Sequence, residues 1–154
     1  MNIVFRRVFK TAYALTKPIS GIAIHNSLRT RVIVISGKEI LLIKTSFGTQ
    51  KWSLPGGGVH KHENPEHAAS RELHEETGLK VDCSQLKRIG ELRLPKNNKW
   101  PVANIRFFAT KLKERSEPSV IRPLEIMEAK WFNLRELPDD RSATVDEGLA
   151  LLRR

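Results

Sequence analysis

Three glutamates in one short segment have the spacing that a metal site needs. Glu72, Glu75 and Glu76 lie three and four residues apart, so a helix would place all three carboxylates on one face. Like charges at that spacing repel one another, and the neighbouring Arg71 cannot neutralise all of them. A hard divalent cation can, and an oxygen ligand set without cysteine favours Mg²⁺ or Mn²⁺ over zinc. An ordinary exposed, glutamate-rich helix would explain each acid singly, but not the face that they share.

A run of three glycines, Gly56 to Gly58, precedes these acids. Because glycine has no side chain, the backbone at this run can come close to an ion or a phosphate. Glu63 lies in the loop that leads into the helix and can reach back over its first turn. Loop glycines, helix acids and a linking carboxylate together describe a site for a metal ion and a diphosphate.

The order of these residues resembles the Nudix box, the signature of a family of hydrolases. The box is a glycine, five residues, a glutamate, seven residues and then Arg-Glu-apolar-any-Glu-Glu-any-Gly-apolar, and residues 57–79 fill all nine fixed positions. Those positions are Gly57, Glu63, Arg71, Glu72, Leu73, Glu75, Glu76, Gly78 and Leu79. The lead-in at residues 52–57 and the segment at 125–138 also resemble the family, so the resemblance covers about residues 20–153.

The resemblance implies an α/β fold, an α/β/α sandwich around a central mixed sheet. It also implies an enzyme, a Mg²⁺-dependent hydrolase of a nucleoside diphosphate linked to another moiety. In that reading Glu72, Glu75 and Glu76 supply metal ligands, and the carbonyl of Gly57 is a backbone ligand. Glu75 or Glu72 would also act as the general base, which takes a proton from an activated water molecule. Arg71 and Glu63 would orient the cluster.

Several residues outside the fixed positions are further candidates. Glu125 is a candidate metal ligand or base, since relatives use an acid ahead of the tryptophan that is Trp131 in this sequence. A solvated loop acid is the alternative. Lys44, Lys51, Trp52 and Gly58 flank or belong to the glycine loop and are candidate substrate contacts, although Trp52 could equally be a core residue. The histidines at variable positions are interpreted as polar filler rather than a zinc site. They are His60, His62, His67 and His74.

The elements that must position these residues follow from hydrophobic periodicity. Residues 65–77 are predicted to be a helix, with Pro65 early in it and Gly78 as its stop. A second helix is predicted at 142–152. Strands or extended pieces are predicted at 21–25, 30–35, 39–45, 52–54, 86–94, 102–112 and 126–132, with loops at 95–101 and 113–123.

The first 17 residues are treated separately from a domain spanning residues 18–154. Apolar residues at helical spacing alternate with Arg6, Arg7 and Lys10 over residues 3–15, which predicts a basic amphipathic helix packed on the domain. A transit peptide or a membrane-surface helix is the alternative for this acid-free stretch.

Composition and charge bound the remaining choices. The chain has 154 residues, 40% of them hydrophobic and 29% charged, which indicates one globular domain rather than a disordered chain. Cys83 is the only cysteine, so an intramolecular disulfide is excluded, and no apolar run is long enough to insert in a membrane. We therefore expect a cytoplasmic protein. A net charge of +10 predicts an anionic partner.

The box specifies the chemistry but not the substrate. Nucleoside triphosphates, ADP-ribose-like compounds, dinucleoside polyphosphates and RNA 5′ ends stay open, and the positive charge favours polyphosphates or RNA. A homodimer is also open. The alternative function is a Nudix-fold sensor module that binds a nucleotide or RNA without hydrolysis; such modules usually lose box acids, whereas this sequence keeps them all.

Overall fold

The computed structural model of the protein describes residues 27–94 and 103–154. Six strands and two α-helices make up this part of the chain, with one short 3₁₀ turn at Cys83–Gln85. In chain order they are β1 (Ser27–Ser36), β2 (Glu39–Thr45), β3 (Trp52–Ser53), α1 (Pro65–Thr77), β4 (Lys87–Leu94), β5 (Ala103–Leu112), β6 (Ile126–Asn133) and α2 (Ala143–Leu152).

The strands form one mixed sheet. β1 pairs in parallel with β5, and the remaining pairs, β1–β2, β2–β3, β2–β6 and β4–β5, are antiparallel. β2 pairs with β6 along its whole length, whereas it meets β1 only at Ile35 and Ser36, next to the hairpin turn. On the side of β2, the first half of β1 is therefore available to pair with another segment. The candidate functional site lies at this part of β1.

Helices cover both faces of the sheet. Val32 and Val34 of β1 pack with Ala69 and Leu73 of α1, whereas the residue between them, Ile33, packs on the other face. The second face is covered by α2, through residues such as Val145 and Leu149. Since successive strand residues point to opposite faces, a strand buried on both sides reads as a continuous apolar run. The predicted α/β/α sandwich with a central mixed sheet is confirmed.

The helix that carries the acids is fixed at both ends by its own sequence. The side chain of Asn64 accepts a hydrogen bond from the backbone N–H of Glu66 at 3.0 Å, and Pro65 occupies the first turn, where its missing N–H costs nothing. Gly78 ends α1 in the left-handed conformation, with φ of 74°. The predicted bounds of this helix, 65–77, are confirmed.

The other predicted elements agree within a few residues. β1 extends beyond the predicted 30–35, the segment 113–123 contains no helix or strand, and Ser142 proves to be the residue that precedes α2 rather than its first residue. The predicted helix at 3–15, the strand at 21–25, the division between residues 17 and 18 and the loop at 95–101 lie outside the described residues. Within the described ranges, no helix is long and apolar enough to cross a membrane.

Candidate active site

The glycine run lies along the open half of β1. The N–H of Thr30 donates to the carbonyl of Gly57, and the N–H of Val32 donates to that of Pro55, both at 2.8 Å. Gly56 has φ of 136°, which is a conformation that favours glycine, and a Cβ there would collide with the carbonyl of Thr30. The sequence 55–58 therefore follows the strand closely and carries its backbone to the rim of a cleft.

Two of the three box glutamates on α1 are buried. Glu72 and Glu76 are only 8% and 5% exposed, and the core residue Leu73 of the same helix is fully buried. The N–H of Gly56 donates to Oε2 of Glu76 at 2.7 Å, so the carboxylate ties the glycine loop to the helix. Burial disfavours the charged carboxylate and raises the pKa of Glu76 to about 8.

Arg71 and Glu63 form a bidentate ion pair, the Arg71–Glu63 fork, beside the acids. Nε and Nη2 of Arg71 donate to the two carboxylate oxygens of Glu63, at 2.8 and 3.0 Å. Nη1 of Arg71 lies 2.9 Å from Glu72 and 3.2 Å from Glu75, and Nη2 also donates to the carbonyl of Gly58 at 3.1 Å. The hydrogen bonds from Arg71 lower the pKa of Glu63 to about 2, and the pKa of Arg71 is raised in turn. Arg71 thus connects Gly58 of the glycine run, Glu63 of the segment before the helix, and the acids of α1.

Glu125 and Arg122 close the cleft from the loop before β6. Nη2 of Arg122 lies 2.5 Å from Oε2 of Glu75, while Nη1 lies 3.5 Å from Glu125 and 4.0 Å from Glu72. Three carboxylates from two separate elements therefore meet one guanidinium. Glu125, a candidate metal ligand or base in the sequence, lines the same cleft as Glu72 and Glu76.

The cleft between these elements has a volume of about 230 Å³. Box acids and glycines line it together with three arginines that sequence reasoning did not assign to the site. The lining residues are Arg29, Arg31, Ile43, Thr45, Ser53, Leu54, Gly56, Gly57, Gly58, Glu72, Glu76, Arg122 and Glu125. The cleft thus combines carboxylates with cations in one lining, an arrangement suited to an anionic ligand that reaches the acids through a metal ion.

Arg31 is the least expected of these cations. Its Nη1 donates to the carbonyls of Gly56 at 2.6 Å and Thr30 at 2.9 Å, whereas its buried Nε has no hydrogen-bond partner among the described residues. Burial lowers the pKa of Arg31 to about 10, so the group still carries its charge at neutral pH. No motif marks Arg31 in the sequence, because its contact with Gly56 depends on the pairing of the glycine run with β1.

The other predicted substrate contacts lie apart from the cleft, except for Gly58. Trp52 is buried in the core on the α2 side and stacks edge-on against Phe132, with ring centroids 4.7 Å apart. Nζ of Lys44 pairs with Asp140 at 2.9 Å, and Lys51 is exposed. Neither lysine nor Trp52 lines the cleft described here.

The donor atoms at the cleft fit a hard divalent cation. The donors that line it are carboxylate oxygens of Glu72, Glu76 and Glu125 and the carbonyl of Gly57, which has a second lone pair besides the one that Thr30 uses. The carboxylate of Glu75 does not line the cleft and pairs with Arg122 at its edge. A Cβ on Gly57 would lie 2.5 Å from the carboxyl of Glu72, so only glycine leaves room in front of that group. However, no three acidic, histidine or cysteine side chains in residues 27–94 and 103–154 are already arranged around a common metal position.

The comparison with known proteins covers the same part of the chain. A family described as the NUDIX domain matches residues 26–152. The oxidized purine nucleoside triphosphate hydrolase of Danio rerio is 33% identical over 115 residues, which are 73% of this chain and 70% of that protein. An RNA pyrophosphohydrolase of Cellvibrio japonicus is 30% identical over 110 residues, 71% of this chain and 57% of the relative.

Solved structures show the same fold. The crystal structure of a MutT NUDIX hydrolase from Burkholderia pseudomallei superposes with a TM-score of 0.74 at 22% identity, over 82% of this chain and 98% of that one. The family match spans every residue that lines the cleft.

Proposed function

The chain belongs to the Nudix hydrolase family, and we propose that it hydrolyses a phosphoanhydride bond of a nucleoside-linked polyphosphate in this cleft, with Mg²⁺ or Mn²⁺ as its cofactor. The observation that carries the proposal is that Glu72 and Glu75 of α1 meet Glu125 of the loop before β6 at Arg122. The glycine run reaches the same group of acids, because Gly57 lies against the carboxyl of Glu72. An exposed acidic helix would not gather oxygen donors from three segments.

Nudix hydrolases generally use divalent metal ions. In this chain Glu72, Glu75, Glu76, Glu125 and the Gly57 carbonyl would hold them. When bound, such an ion supplies neutralisation of the phosphate charge and a more acidic water molecule. The remaining tasks belong to the protein's own residues.

Those tasks are to hold the ligands in place and to accept a proton. Arg71 is fixed by its bidentate ion pair with Glu63. From that position it pairs with the carboxylates of Glu72 and Glu75 and so restricts their orientation. Between these two, Glu75 is the better candidate for the general base, because its side chain is 26% exposed and Glu72 only 11%. A more accessible carboxylate can pass the proton on to solvent.

The arginines of the cleft favour a substrate with three or more phosphates. Arg29 and Arg122 are open to solvent and can each meet a phosphate. Arg31, whose buried guanidinium binds the carbonyl of Gly56, adds positive charge to the same cleft. Nucleoside triphosphates, dinucleoside polyphosphates and RNA 5′ ends have this feature. Two relatives are named for the first and the last of these substrates. ADP-ribose-like compounds offer only two phosphates and are expected to be poorer.

The cellular setting follows from the substrate class. Nucleoside polyphosphates and RNA ends occur in the cytoplasm, and we place the protein there.

A single chain holds every residue of the proposed site, so a homodimer is not needed for the chemistry.

A substrate panel with product identification tests the proposal. We would incubate the protein and Mg²⁺ or Mn²⁺ with an oxidised and an ordinary purine nucleoside triphosphate, diadenosine tetraphosphate, a 5′-triphosphorylated RNA and ADP-ribose. Release of phosphate or pyrophosphate from a substrate with at least three phosphates is the expected result. Tight binding with no product from any of them would instead favour the nucleotide- or RNA-binding module.

A further inference from the structure

Arg122 occupies an unusual position at the mouth of the cleft. Its carbonyl accepts hydrogen bonds from the N–H groups of Glu125 at 3.0 Å and Ile126 at 2.9 Å, which fixes the turn that leads into β6. From there its guanidinium reaches across to α1, where Nη2 lies 2.5 Å from Glu75. Nη1 lies between Glu125 at 3.5 Å and Glu72 at 4.0 Å. One cation therefore contacts three carboxylates that belong to the proposed metal site.

Arg71 touches two of the same acids but is anchored elsewhere. It makes the fork with Glu63 and a bond to the carbonyl of Gly58, and its side chain is 24% exposed. Within residues 27–94 and 103–154, the guanidinium of Arg122 pairs with these three carboxylates alone, and its side chain is 41% exposed. Arg71 can therefore keep its position when the acids bind another cation. Arg122 has to release the acids for that cation to bind.

The carboxylate oxygens cannot serve Arg122 and a metal ion at once. As described above, no three acidic side chains in the described ranges are already gathered around a metal position. A divalent ion brings two positive charges to the acids, whereas the guanidinium brings one that it cannot lose by deprotonation. The long side chain of arginine can swing away, and its planar donors match a phosphate as well as a carboxylate.

We propose that Arg122 is a displaceable counter-ion of the metal site. It neutralises Glu72, Glu75 and Glu125 until a divalent cation binds, and it then turns to a phosphate of the substrate. This inference rests on the proposed function, because it takes these acids as the metal ligands. It assigns to one residue both a competition with the metal and a contact with the polyphosphate.

Removal of the competitor should tighten metal binding. We would measure Mn²⁺ binding to the substrate-free protein by electron paramagnetic resonance of the free ion, for wild type, Arg122→Gln and Arg122→Lys. The glutamine variant is expected to bind Mn²⁺ at least about threefold more tightly. The lysine variant keeps the charge and should fall between it and wild type. Thermal unfolding without metal checks that each variant is folded.

Arg115 offers a matched control. Its side chain is 42% exposed and pairs with two carboxylates, Glu39 at 2.9 Å and Glu117 at 2.8 Å, outside the cleft. Arg115→Gln therefore removes an arginine of the same exposure and the same charge, and Mn²⁺ affinity should not change. Unchanged or weaker Mn²⁺ binding by folded Arg122→Gln would overturn the proposal.

The second half of the proposal concerns the substrate. At saturating metal, the KM of Arg122→Gln for a nucleoside triphosphate should rise about threefold or more, since a phosphate contact is lost. Tighter Mn²⁺ binding with an unchanged KM would refute the phosphate contact. If wild type neither binds Mn²⁺ nor hydrolyses any substrate of the panel, the proposed function itself fails, which is a separate outcome.

Discussion

The buried carboxylate of Glu76 accepts a hydrogen bond from the backbone N–H of Gly56 at 2.7 Å, across 20 residues of sequence. This contact joins the first glycine of the loop to the last acid of the helix motif. Gly56 adopts a φ that favours glycine, and a Cβ there would collide with the carbonyl of Thr30, so no other residue fits this position. The glycine run and the acids are thus one unit, and each depends on the other for its position.

We expect Glu76→Gln to remove hydrolysis while leaving the fold intact. The glutamine oxygen can still accept the bond from Gly56, and a neutral group suits a site where burial raises the pKa of Glu76 to about 8. The charged oxygen needed for a cation is lost, so kcat should fall by at least about a hundredfold. Initial rates across a Mg²⁺ series and thermal unfolding without metal measure the two effects.

Glu128→Gln is the control for this variant. Glu128 is exposed on β6 and lies outside the cleft, so its replacement should change neither rate nor melting temperature. Full turnover by Glu76→Gln, or undiminished turnover by wild type in EDTA, would contradict the metal-site assignment.

Gly57→Ala should weaken metal binding through a steric contact alone. The added Cβ would lie 2.5 Å from the carboxyl of Glu72, and the φ of Gly57 is outside the left-handed region, so the backbone itself tolerates alanine. Glu72 must then move away from its ligand position. Mn²⁺ affinity of the substrate-free protein should drop by about tenfold or more. In Gly58→Ala the Cβ meets nothing within 4 Å, so equal effects of the two variants on Mn²⁺ affinity would refute this account.

Glu63→Gln should lower stability in a pH-dependent way. The fork with Arg71 lowers the pKa of Glu63 to about 2 in the folded protein, against an ordinary value of 4.5. The stabilisation is therefore complete above pH 4.5 and is lost as the pH falls from 4.5 towards 2. We expect the variant to be about 1 to 2 kcal/mol less stable than wild type at pH 7 and closer to it at pH 3.

Urea unfolding of the metal-free proteins at both pH values measures this difference. Glu114, an exposed residue of the loop before β6, provides the control, since Glu114→Gln should show no such trend. A stability gap between wild type and Glu63→Gln that stays constant or widens at pH 3 would show that the fork with Arg71 contributes little.

Local signals in the sequence were sufficient for the helix and for most of the sheet. The bounds of α1 follow from Pro65 and Gly78, and the buried strands follow from runs of β-branched residues. These features act within a few residues of each other, so a single sequence reveals them. The resemblance to a known family also supplied Gly57, Glu72 and, outside the box, Glu125 as candidate ligands, and these three residues line one cleft. Periodicity alone cannot supply such a long-range arrangement.

The arginines that line the cleft could not be predicted in this way. Arg31 reaches Gly56 only because residues 55–58 replace β2 as the neighbour of β1, and this depends on the sheet topology. Arg122 contacts Glu75 across 47 residues of chain with no motif of its own. Conversely, Lys44 is near the glycine loop in sequence, but Asp140 holds its side chain. Partners of long side chains are fixed by tertiary packing, not by sequence distance.

The last prediction concerns substrate binding and salt. Arg29 is exposed, lies opposite Gly58 in an antiparallel bridge and lines the cleft, so it can meet a phosphate at the surface. Wild-type KM for a nucleoside triphosphate should rise as salt is added, because the screening length falls to about 8 Å near physiological ionic strength. The rise should be steeper than for the corresponding diphosphate, and guanine and adenine substrates should differ little.

In Arg29→Gln the KM should be about two- to tenfold higher at low salt and should respond less to added salt. The control Arg135→Gln, on an exposed turn outside the cleft, should behave as wild type. A strong preference for one base, with equal salt slopes for two and three phosphates, would show that the arginines of the cleft do not select the phosphate chain.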